Sequence, residues 1–101
     1  MTNKESQILI FLPNMIILNT DMDGLIVNCY GDNINNTKLL NKYIYEVFTN
    51  EILHDLELLT SFKKPYINIR HENKQYEVSF RNILIKKIFY FYDITKHTNT
   101  I

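Results

Sequence analysis

At 101 residues the chain has room for one domain with a single modest core and little space for a separate catalytic lobe. A hydrophobic fraction of 46% excludes wholesale disorder, and eleven basic residues against eleven acidic ones exclude a globally cationic binder of nucleic acid or anionic membrane. A lone cysteine, Cys29, excludes an internally cross-linked secreted scaffold and points to a reducing, cytoplasmic setting.

Residues 1 to 14 read as an N-terminal helix or extended arm, apolar from Ile8 to Leu12 and ended by Pro13, which lacks an amide donor and restricts Leu12. This segment lacks the basic start and cleavage site of a signal peptide, and no apolar run approaches the roughly 20 residues of a membrane span. No direct membrane contact is therefore expected. Met15 to Thr20 predicts a strand, Asp21-Met22-Asp23-Gly24 a turn, and Leu25 to Tyr30 the returning antiparallel strand, because Asp-Gly readily supplies the positive backbone angles of a hairpin.

Gly31 to Asn36 is polar and rich in turn formers, and short helical stretches follow from Lys38 to Phe48. Thr49 or Asn50 can cap a longer helix, with Glu51 and Asp55 near its positive end. Along it Ile52, Leu53, Leu56, Leu59 and Phe62 recur at helical spacing, and Lys63, Lys64 and Pro65 mark its end. Pro65 to His71 predicts a third strand, Glu72 to Lys74 a turn and Gln75 to Ile85 a fourth strand, with Lys86-Lys87 as a tight link. In the fourth, Tyr76, Val78 and Phe80 alternate with Glu77, Ser79 and Arg81, giving one dry and one wet face. In the last strand, Lys87 to Thr95, Ile88, Tyr90 and Tyr92 share one face while Phe89 and Phe91 share the other. A strand apolar on both faces belongs in the middle of a covered sheet.

The hairpin from Ile17 to Ile26, with its Asp21-Met22-Asp23-Gly24 turn, the ending Phe91-Tyr92-Asp93-Ile94-Thr95 and the order of elements between them resemble a PAS domain over residues 15 to 96. Six residues after the turn glycine, where that family often carries Asn, this chain has Tyr30. The resemblance implies an α+β fold with a five-stranded antiparallel sheet, the last strand central beside the first, and short helices on one face. Residues 97 to 101 would begin an output linker. It also implies a non-catalytic sensory and dimerisation module of a cytosolic signalling protein, a sensor histidine kinase being the favoured parent. Its partners would be a second copy, the parent's output domain and a small-molecule ligand, without nucleic acid. A ligand-free interaction module is the alternative, and a haem or flavin sensor a lesser one.

A pocket between the long helix and the sheet would draw on Ile17, Ile26, Phe48, Leu56, Leu59, Phe80 and Phe91, unless these side chains simply fill the core. Asp93 and Thr95 would form the signal-output junction, or else an ordinary strand end with a polar cap. No cofactor is favoured. His54 points away from the Ile52, Leu56 and Leu59 stripe, so a solvated histidine is preferred to a haem ligand. His71 at a strand end and His97 in the tail make no metal pair. Cys29 lies on a strand, unlike the helical Asn-Cys-Arg of flavin-adduct relatives, and reads as a buried structural thiol. No nucleophile, base and oxyanion set is apparent, nor any Gly-rich phosphate loop.

Overall fold

In the computed structural model, which describes residues 14–31 and 36–95, the alternating segments assemble into one antiparallel sheet. Its strands are β1 (Met15–Thr20), β2 (Ile26–Gly31), β3 (Tyr66–His71), β4 (Lys74–Ile83) and β5 (Lys86–Asp93). The order β2-β1-β5-β4-β3 places β5 in the centre, hydrogen-bonded to β1 on one side and β4 on the other. That position accounts for its two-sided apolar composition. Among the described residues three helical segments lie between β2 and β3: α1 (Asn36–Leu39), α2 (Ile44–Val47) and α3 (Asn50–Thr60). The expected arm at Ile8 to Leu12, His97 and the expected linker at 97 to 101 lie outside the described residues.

The β1–β2 turn is built by Asp21. Its carboxylate accepts the amides of Asp23 and Leu25, both at 2.9 Å, while Gly24 takes φ +90°, a conformation glycine adopts without steric cost. The turn then grips the segment before α2: the Ile44 amide donates to the Gly24 carbonyl at 2.9 Å and the Ile26 amide to the Lys42 carbonyl at 2.8 Å. This delays β2, which begins at Ile26 behind a bulge between Asn19 and Thr20.

Thr49 caps α3, its hydroxyl accepting the Ile52 amide at 3.4 Å. The helix ends earlier than its apolar spacing suggests. The Lys63 amide donates to the Leu58 carbonyl and the Phe62 amide to the Leu59 carbonyl, the paired bonds of a Schellman motif. Phe62 therefore sits in the left-handed region at φ 60° and is exposed, rather than continuing the buried stripe. The β3–β4 turn is a two-residue hairpin with positive φ at Glu72 and Asn73. The β4–β5 turn falls at Leu84-Ile85, since Ile83 pairs with Lys86, and not at the expected Lys86-Lys87.

All three helical segments cover the same sheet face. Ile52, Leu56 and Leu59 of α3 join Leu18, Ile67, Val78, Phe89 and Phe91 in one buried cluster, with Leu39, Ile44 and Val47 packed against it. On the opposite face Tyr30, Ile17, Tyr90, Ser79 and Tyr66 lie side by side across five strands. No described helix is long and apolar enough to cross a membrane.

Candidate functional site

Beneath the short helices the core is incomplete. A cleft of about 520 Å³ lies there, within the size range of small-molecule sites. Ile16 and Leu18 of β1, Phe91 of β5 and Tyr76 of β4 line its sheet side, and Leu39, Val47 and Phe48 its helix side. Phe48 and Phe91 stack at 5.7 Å and 12°, and the His71 ring meets Phe48 edge-on at 5.1 Å, so three rings brace one wall. α1 and α2 have four residues each, too few to bring a continuous apolar stripe onto the sheet beside the cleft.

Charged side chains ring the mouth. Lys38 and Lys42 stand on the helical side, with Glu72 and Lys74 across from them at the β3–β4 turn. Glu46 is committed to its own helix, accepting the Tyr43 amide at 2.8 Å in the manner of a capping box. Glu72 approaches His71 at 3.8 Å, and Lys74 approaches Asp93 at 3.9 Å. The Tyr76 phenol is raised above its ordinary pKa by burial first, then by the nearby Asp93 and Glu72 carboxylates.

The end of β5 is tied to this same hairpin. The Gln75 amide donates to the Thr95 hydroxyl at 2.9 Å, the Ile94 amide to the Gln75 carbonyl at 2.9 Å, and the Thr95 amide to the Asp93 carboxylate at 2.9 Å. The Asp93 amide donates to the Asn14 carbonyl at 2.7 Å, so the chain entering the sheet and the chain leaving it meet here. Residues 71, 72, 74 and 76 line the cleft, and residue 75 between them holds the outgoing segment.

The residues expected to line a pocket divide among three places. Phe48 and Phe91 line the cleft. Ile26, Leu56 and Leu59 are 0%, 2% and 1% exposed and serve as core packing under α3, and Phe80 packs at its margin against Phe62 and Phe89. Leu56 also borders a smaller cavity of about 150 Å³. Ile17 requires a correction. It pairs with Tyr30 and Tyr90 on the opposite face, because Ile16 and Leu18 are the β1 residues in register with Phe91 and Phe89. Ile16, Leu18, Leu39, Val47 and Tyr76, with the charged rim, are site residues that spacing alone did not single out; the phase of β1 against β5 was the missing signal. Asp93 and Thr95 meet at the exit of β5, the Thr95 amide donating to the Asp93 carboxylate. His54 is exposed on α3, Cys29 is buried opposite Leu18, and no cluster of three metal-ligating side chains occurs among the described residues.

Compared with protein-family models and with curated proteins, the sequence matches none.

Proposed function

We propose that this chain is a PAS-like sensory and dimerisation module, non-catalytic itself, that binds a small molecule in the cleft under α1 and α2. Its binding state passes through the β3–β4 hairpin to the chain leaving β5 and on to an output domain, with a sensor histidine kinase as the favoured parent. One observation carries this reading: Gln75, between cleft-lining Lys74 and Tyr76, hydrogen-bonds both Ile94 and Thr95. A ligand that displaces Lys74 or Tyr76 acts on a hairpin whose next contact is the exit of the domain. The central last strand and the one-sided helical cover further support the PAS-like assignment. The exposed tyrosines of the opposite face support self-association as the second half of the role.

The coupling is tested without knowing the ligand. A Val47→Trp substitution places an indole in the cleft, and amide hydrogen exchange then reports on the clasp. Protection at Gln75 and Ile94 is expected to change while the β1–β2 pairing keeps its protection. Unaltered exchange at both amides, with the indole shown by its fluorescence to be buried, would sink the proposal.

A further inference from the structure

Among the described residues, the sharpest apolar exposure is the tip of the β4–β5 hairpin. Ile83, Leu84 and Ile85 are 42%, 92% and 73% exposed, in unbroken succession. Leu84 also has φ 55°, a left-handed conformation that disfavours a branched side chain and that glycine or asparagine would take at lower cost. Nothing within the fold offsets this, since so exposed a leucine contributes almost no packing.

At the tip end, the two strands that form it and the segment leading into neighbouring β3 carry charge of one sign. Lys86 is the cross-strand partner of Ile83, Arg81 lies two residues back on β4, and Lys63 and Lys64 lead into β3 at the same end of the sheet. No Asp or Glu occurs in residues 61–66 or 81–87. The carboxylates at this end of the sheet lie past β5: Asp21, next to Thr20, the partner of Lys87, is engaged by the Asp23 and Leu25 amides, and Asp23 and Glu57 line the small cavity beside Lys87 on the helical side. A second copy meeting this tip with its own would be repelled by the matching cations.

We infer that the β4–β5 tip is a peripheral docking element for an anionic lipid surface, with Ile83, Leu84 and Ile85 entering the headgroup–acyl boundary and Lys64 and Lys86 meeting the lipid phosphates. A convex three-residue tip with cations set behind it suits a soft planar interface better than a preformed groove. The even overall charge conceals the patch, because the fold gathers the cations of two distant segments at one end.

Co-sedimentation with vesicles tests this, comparing phosphatidylcholine alone with phosphatidylcholine containing phosphatidylserine. Binding to the anionic vesicles only, weakened by salt, is expected. Leu84→Gly removes the side chain while suiting the turn, so it should leave the thermal midpoint unchanged or higher and weaken vesicle binding about tenfold. The double change Lys64→Glu and Lys86→Glu should weaken it by at least about tenfold. Absence of binding to anionic vesicles, equal binding by Leu84→Gly, or capture by poly-glutamate but not by vesicles would each overturn the inference.

Discussion

Cys29 shows how one burial decides a residue's chemistry. Packed opposite Leu18 and only 5% exposed, its thiol is pushed up by burial from 9.0 to about 11. As pH rises the unfolded thiol ionises first, so between pH 9 and 11 the folded chain holds the extra proton. The stability contributed by the neutral buried thiol is therefore complete below pH 9 and lost as pH approaches 11. Tyr76, also raised mainly by burial, adds a loss of the same sign above its ordinary value of 10.0. At pH 8 the thiolate fraction is about one in a thousand when folded and about one in ten when unfolded. Iodoacetamide should accordingly alkylate Cys29 at least about 100-fold more slowly in the native chain than in urea. Equal rates would show that β2 does not bury this residue. Strand alternation makes such faces readable but leaves their phase open: Ile16, Ile17 and Leu18 are chemically alike, and only pairing with β5 turns the first and third toward the helices.

Among the elements, the β3–β4 hairpin carries the most consequence, because one edge lines the cleft and the other clasps the exit from β5. A Thr95→Val change keeps the shape but deletes the hydroxyl that accepts the Gln75 amide, leaving a part-buried donor without that partner. Loss of such a bond is worth about 1 kcal/mol, so exchange at the Gln75 amide should accelerate roughly fivefold to tenfold. Thr95→Ser, which retains the oxygen, should restore slow exchange. If Val and Ser exchange alike, the hydroxyl does not hold the junction. Every described strand and the capped long helix were legible from period, caps and turn residues. The misplacements fall where the local chemistry gave no sign: Phe62 closes a helix where glycine is usual, and Leu84-Ile85 turns a hairpin without Gly, Asn or Pro. The cleft was illegible for a related reason. Its space depends on how little of the sheet α1 and α2 cover, which is a property of their placement.

At the scale of the molecule, the sheet face that the described helices leave open has a pattern that fits a second copy of itself. Across it run Tyr30, Ile17, Tyr90, Ser79 and Tyr66, with Tyr66 53% exposed and Tyr30 37%. On β4, Glu77 and Arg81 project from this face on either side of Ser79, both exposed. Two such faces can stack about a two-fold axis that lies along the tyrosine row, between the sheets. The row then meets itself, each Glu77 lies over the partner copy's Arg81, and each Tyr92 over the partner copy's Ile88. The roughly 30° misalignment usual for stacked sheets leaves these pairs close to the axis and still adjacent. An isologous interface repeats the ion pair twice, so one charge reversal creates two like-charged contacts. Sedimentation equilibrium is expected to show a dimer that Glu77→Arg or Arg81→Glu weakens by about tenfold or more, and that the double swap restores. Tyr90→Asp, at the centre of the row, should give a monomer that retains its fold by circular dichroism. A wild-type chain that stays monomeric at about 100 µM, well above the micromolar range of specific association, would remove this face as the interface.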